Sequence, residues 1–168
     1  LTWPDLEPPF LCLVVSGGHS HIIAVEGYDA FRLIGRTRDD AAGEAFDKIA
    51  RVLGLPYPGG PALEQLAREG DPHAVPFHSS LHSDNGFDFS FSGLKTAAIN
   101  RLHTAEQRGE ALSRADLAAS FQFAVVEALS SRAVRAAQQF GGPAPTLALA
   151  GGVSANRALR AALQRRCD

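Results

Sequence analysis

Short apolar runs separated by turn residues open the chain, and the spacing of apolar positions becomes helical after residue 38. Residues 10–15, Phe-Leu-Cys-Leu-Val-Val, form a β-prone run. Ser16-Gly17-Gly18 supplies turn chemistry, and a second run over 21–25 follows, so a hairpin is predicted. Phe31-Arg32-Leu33-Ile34, after the turn-like Gly27-Tyr28-Asp29, extends this to a three-stranded antiparallel meander. Over 39–53, Phe46, Ile49, Ala50 and Leu53 recur at helical spacing, with Asp39-Asp40 expected to cap the start and Gly54 to close the end. Pro56-Tyr57-Pro58-Gly59-Gly60-Pro61 reads as a tight loop leading through Pro61 into a short helix over 62–68. Residues 70–88 lack a stable period and read as an exposed loop. Phe87-Asp88-Phe89-Ser90-Phe91 alternates aromatic and polar, and Ser92 is the expected cap of a helix over 93–103. A long helix over 115–140 puts Ala118, Phe121, Val125 and Leu129 on one face and ends at Gly141-Gly142-Pro143. A buried strand over 146–150, a Gly151-Gly152 turn and a last helix over 156–166 complete an α/β pattern, a hairpin unit followed by helical crossovers.

Composition narrows the classes. The 168 residues suit one core, and 45% hydrophobic with 20% charged residues excludes disorder and a coiled coil. Sixteen Lys+Arg against 18 Asp+Glu give a net charge of −2, which excludes strong global attraction to nucleic acid. Arg157, Arg160, Arg165 and Arg166 leave room for a local basic patch, or for an ordinary solvated helix face. Cys12 and Cys167 have neither metal-ligand spacing nor the makings of a disulfide framework, so a reducing setting is expected. With no apolar stretch of about 18 residues and no signal-peptide pattern, a cytoplasmic protein without membrane contact is expected. The chain contains no Met, and residues 1–9 read as a linker. A fragment of a longer chain is therefore expected, with 1–168 forming a single truncated lobe.

Two segments share a design. Leu13-Val14-Val15-Ser16-Gly17-Gly18-His19 and Leu147-Ala148-Leu149-Ala150-Gly151-Gly152-Val153 each end an apolar strand in a diglycine. Glycine lets backbone N–H groups approach an anion closely, and the second pair also opens a helix, whose N-terminus favours anions. A plain tight turn is the other reading of each. Asp40, Glu44 and Asp47, at i, i+4 and i+7, predict an acidic stripe suited to ribose hydroxyls or a metal, or a solvated face in which Lys48 pairs with Glu44. His19 could donate to a bound oxygen or satisfy a strand-end carbonyl. Lys95 could reach a phosphate or lie at the surface. His73, His78, His82 and Asp84 fall in a turn-rich segment with no helical reason to converge on zinc. The signatures G-x-S-x-G, H-E-x-x-H and G-x-x-x-x-G-K-[ST] do not occur.

Five motifs carry a resemblance to a known family. They are Val15-Ser16-Gly17-Gly18-His19, Asp39-Asp40-Ala41-Ala42-Gly43-Glu44-Ala45-Phe46-Asp47-Lys48, Tyr57-Pro58-Gly59-Gly60-Pro61, Phe89-Ser90-Phe91-Ser92-Gly93-Leu94-Lys95-Thr96 and Gly151-Gly152-Val153-Ser154-Ala155-Asn156. In this order and over nearly the whole chain, they resemble the tRNA N6-adenosine threonylcarbamoyltransferase family, formerly the O-sialoglycoprotein endopeptidase or glycoprotease family, in its bacterial form. The resemblance implies a ribonuclease-H-like lobe of the actin/Hsp70/sugar-kinase type. It implies transfer of a threonylcarbamoyl group from threonylcarbamoyl-adenylate to N6 of the adenosine beside the anticodon, in tRNAs reading codons that start with A. It further implies ATP or threonylcarbamoyl-adenylate as ligand, tRNA and adaptor proteins as partners, a homo- or heterodimer, and a divalent metal, iron or zinc. Substrate contacts carry over to Val15, Ser16, Gly17, Gly18, His19, Asp47, Gly60 and Asn156, with Asp40, Glu44, Gly151 and Gly152 as additional candidates. No catalytic base is implied. The family's H-x-x-x-H metal motif and its last Asp ligand have no counterpart in 1–168, so metal binding is not transferred to His78 and His82, and this chain alone is expected to be inactive. The competing expectation is a non-catalytic nucleotide-binding or adaptor-type module of the same fold. The peptidase name finds no protease nucleophile or metal-held water here.

Overall fold

The computed structural model describes residues 5–77 and 86–168. Strands β1 (Phe10–Val15), β2 (Ser20–Val25) and β3 (Phe31–Arg36) form the expected meander, and β4 (Leu147–Ala150) joins it in the order β3-β2-β1-β4. β1 is antiparallel to β2 and parallel to β4. Period-two alternation decides the faces: Leu11, Leu13, Val15, Ile22 and Ala24 are buried, whereas Phe10, Cys12 and Val14 on the opposite face are half-buried. β4 is half-buried along its length rather than buried, because it is an edge strand with one neighbour.

One long helix packs on the inner face, and the others pack about it. The helices are α1 (Ala42–Val52), α2 (Gly59–Ala67), α3 (Ser92–Arg108), α4 (Arg114–Phe140) and α5 (Arg157–Cys167), with a 3-10 turn over Gly152–Ala155. The 27-residue α4 touches α1, α2, α3, α5 and the sheet. Its Ala118, Phe121, Val125 and Leu129 are fully buried, as their spacing predicts. Phe121 meets the ring edges of Phe46 and Phe77, joining α1 and the segment after α2 to one core. Ser113 caps α4 by accepting from Asp116 N at 3.1 Å.

Several sequence expectations need correction at helix starts. α1 begins at Ala42 after an Ala41 N-cap that has no side-chain bond, so Asp39 and Asp40 do not cap it. Its first amides donate instead to Ser20 Oγ (3.0 Å, from Ala42) and Ser16 O (3.1 Å, from Gly43). Ser92 does not cap α3 either; its N–H and hydroxyl both donate to Asp39. α2 starts at Gly59, ahead of Pro61, because Asp47 of α1 accepts from Gly59 N (3.0 Å) and Gly60 N (3.2 Å). The segment after α2 is not uniformly exposed: Val75 is buried and its amide donates to Ser120 Oγ. His78, His82 and Asp84 lie outside the described residues, while His73 packs edge-on against Phe123 at 4.8 Å.

Candidate functional site

Parallel pairing of β1 with β4 brings the two diglycines to one end of the sheet. Val14 is level with Ala150, so Ser16 and Gly151 leave the sheet side by side. Gly151 has φ +91°, and a Cβ there would lie 2.3 Å from Val15 O. Only glycine lets the second loop close onto the end of β1. The 3-10 turn that follows touches β1 and α1. The start of α1 closes the third side, where a Cβ on Gly43 would lie 2.6 Å from Ser16 O. Crevices outside the carboxyl ends of parallel strands are where α/β sheets place ligands.

A second set of glycines behaves differently. A Cβ on Gly17, Gly18, Gly60 or Gly152 would meet nothing within 4 Å, and none has positive φ. Neither packing nor strain in the chain demands glycine at these four positions. Close approach of a bound group is a physical reason that remains.

Most of the predicted contact residues already hold structural bonds. Ser16 Oγ accepts from His19 N (3.0 Å) and Gly18 N (3.3 Å), tying the turn to itself. Val15 is fully buried and offers only its backbone. His19 is exposed, its ring edge-on to His21 at 5.2 Å. Burial, then the neighbouring His19 and Arg36, hold the His21 pKa below its ordinary value. Asn156 caps α5, its Oδ1 accepting from Leu159 N (2.9 Å) while Nδ2 donates to Gln122 Oε1 (3.0 Å).

The acidic stripe does not form. Asp40 precedes α1, and its carboxylate meets Lys95 Nζ at 2.5 Å and Lys48 Nζ at 3.3 Å. Lys48 also pairs with Glu44 at 2.7 Å, the solvated-face alternative for that residue. The Lys95 contact, then burial working against it and the Lys48 contact, keep Asp40 below the usual carboxylate range. Asp47 faces the start of α2, beside a cavity of about 180 Å³ lined also by Ala50, Arg51, Leu55 and Tyr57. The basic helix face is not one free patch, since Arg166 pairs with Glu127 at 2.7 Å.

Asp39, expected to cap α1, holds the start of α3 instead. Its Oδ1 accepts from Phe91 N (2.8 Å) and Ser92 N (3.2 Å), and its Oδ2 from the hydroxyls of Ser92 (2.7 Å) and Ser90. It anchors the start of α3 to the diglycine end of the sheet. The alternating Ser90 and Ser92 offer the hydroxyl donors for such a distant carboxylate. Among the described residues, no group of three or more His, Cys, Asp or Glu could hold a metal ion. These described residues do not fit the metal that the resemblance implies.

Comparison with known proteins agrees with this architecture. The chain is 56% identical over 164 residues to a tRNA N6-adenosine threonylcarbamoyltransferase of Moorella thermoacetica, covering 98% of this chain and 47% of that protein. It is 52% identical over 161 residues to one of Clostridium perfringens strain SM101, covering 96% and 47%. The chain thus spans about half the length of the curated relatives it matches. Among solved structures, it superposes with a TM-score of 0.50 and 18% identity on component A of the Acidaminococcus fermentans (R)-2-hydroxyglutaryl-CoA dehydratase, covering 98% and 53%. It matches the Clostridium difficile 2-hydroxyisocaproyl-CoA dehydratase activator, solved with bound ADPNP, with the same score and 13% identity. These likenesses bear on the fold alone, which is of the actin/Hsp70/sugar-kinase type. Residues 1–168 match the family throughout, and the chain belongs to the tRNA N6-adenosine threonylcarbamoyltransferase family.

Proposed function

We propose that this chain is the substrate- and nucleotide-binding lobe of a tRNA N6-adenosine threonylcarbamoyltransferase, acting in the cytoplasm with tRNA and adaptor proteins. The observation that carries the reading is the apposition of the two diglycine turns at the carboxyl ends of β1 and β4, with Gly151 against Val15 and Gly43 against Ser16. In this reading the phosphate of ATP or threonylcarbamoyl-adenylate lies at Ser16-Gly17-Gly18-His19, and the nucleoside at Gly151-Gly152 and the start of α5. The phosphate competes with Ser16 Oγ for the amides of Gly18 and His19. Asp47 and Asn156 act there mainly by fixing the starts of α2 and α5.

In the reaction, N6 of the tRNA adenosine attacks the carbamoyl carbonyl carbon. The new C–N bond forms as the bond from that carbon to the phosphate oxygen breaks; N6 gives up a proton, and AMP leaves. The lobe binds and orients the acyl phosphate so that attack proceeds from a fixed geometry. No side chain of this lobe is assigned as base. The test is calorimetric titration of the folded chain with ATP and a hydrolysis-resistant threonylcarbamoyl-adenylate mimic. Saturable binding of both is expected; folded protein that binds neither would overturn the reading.

A further inference from the structure

Two carboxylates in sequence, Asp39 and Asp40, hold the start of α3, and only one is needed for that purpose. Asp39 already takes the amides of Phe91 and Ser92 and the Ser92 hydroxyl at the N-terminus of α3. Asp40 adds an ion pair to Lys95, one turn into α3, with both side chains more than four-fifths buried. An ammonium partly shielded from water needs a partner, and Asp40 supplies it. Asp40 is also wired to the diglycine end of the sheet. Its carbonyl accepts from Thr37 Oγ1 (2.8 Å), Thr37 N donates to Ser20 O (2.9 Å), and Ser20 Oγ accepts from Ala42 N. Ser20 directly follows the Ser16–His19 turn. Lys48 bridges Asp40 and Glu44, so neutralising Asp40 does not depend on Lys95 alone. An ammonium has three donors, and Asp40 engages one of them.

We infer that Lys95 is an anion-contacting residue of the diglycine site, delivered there by Asp39 and Asp40 as positioning residues. The inference rests on the nucleotide reading above and names the phosphate as the group that Lys95 meets. Asp40 is the resting partner, and a phosphate at the turn shares or takes over the ammonium. Partial shielding from water makes this contact stronger than one at an open surface.

Titrating ATP and adenosine separately into wild type, Lys95→Gln, Lys95→Arg and Asp40→Asn distinguishes this from a structural role. Lys95→Gln is expected to weaken ATP by about tenfold while leaving adenosine unchanged, a loss in the range of one charge-assisted hydrogen bond. Lys95→Arg should retain most of the ATP affinity, and Asp40→Asn, which removes the carboxylate that positions the ammonium, should weaken ATP while leaving adenosine unchanged. A Lys95→Gln protein with the wild-type ratio of ATP to adenosine affinity would overturn the inference and leave the nucleotide reading standing. A folded wild type that binds neither ligand would overturn both.

Discussion

Asp39 shows how much one carboxyl can organise. Burial raises its pKa, and hydrogen bonds from Ser90, Ser92 and the Phe91 and Ser92 amides outweigh that and hold it below the ordinary value. At Asp40 the Lys95 contact leads the lowering, and at Asp88 burial is outweighed by the Arg36 amide and the Arg38 guanidinium. All three have folded-state pKa values below the unfolded one, near 3.9. Their stabilisation is therefore complete above about pH 4 and is lost as pH falls through the lowered folded values. Asp39→Asn should lose about 1–2 kcal/mol near neutrality, as expected for a lost cap, and should flatten the acid limb of stability. Urea midpoints from pH 2 to 7 read this directly; an unchanged acid limb would contradict it. Gly43 argues the opposite way from helix propensity. Ala is a better helix former than Gly by up to about 1 kcal/mol in a helix interior, yet at Gly43, in the first turn of α1, the new methyl meets Ser16 O at 2.6 Å. Gly43→Ala should lower the thermal midpoint, and a raised midpoint would show that the turn is not seated on α1.

At the scale of elements, α1 joins the site to the fold. Gly43 seats the first turn, and Asp47, one turn on, opens α2. Asn156 does the same for α5 through Leu159 N and reaches α4 through Gln122. Loss of nucleotide binding in Asp47→Ala or Asn156→Ala would therefore leave a lost contact and a lost cap indistinguishable. Asn156→Asp separates them: it keeps the Oδ1 acceptor for α5 and forfeits the amide donated to Gln122. Asn156→Ala should cost about 1–2 kcal/mol and Asn156→Asp less, measured by denaturant unfolding. The strands, α1 and α4 were legible because alternation and helical spacing report burial directly, as at Leu13, Ile49 and Phe121. The helix starts were less so. Asp39, Asp40 and Asp47 each sit where a local cap or stripe is the simplest sequence reading, yet Asp39 and Asp47 cap helices 53 and 12 residues downstream. Spacing along one helix carries no information about such tertiary capping.

Across the described residues the core is centred on α4, which packs against the sheet and against α1, α2, α3 and α5. Phe121, fully buried between Phe46 and Phe77, is the clearest test of that core, and Phe121→Ala should cost about 3–5 kcal/mol in unfolding free energy. The resemblance implies one site for the candidate residues, and the parallel β1–β4 pairing brings both diglycines to the same end of the sheet. Their glycines divide into two kinds. Gly43 and Gly151 are required for the chain to close on itself, whereas Gly17, Gly18 and Gly152 face open space. That division gives the most direct test of the proposed nucleotide site: ATP affinity of Gly17→Ala and Gly18→Ala, measured by calorimetry beside their thermal midpoints. The account predicts that both variants melt with the wild type and lose ATP binding by at least about tenfold, because the methyl occupies space that only the ligand fills. Wild-type affinity in both variants would contradict it and place any nucleotide elsewhere on the molecule.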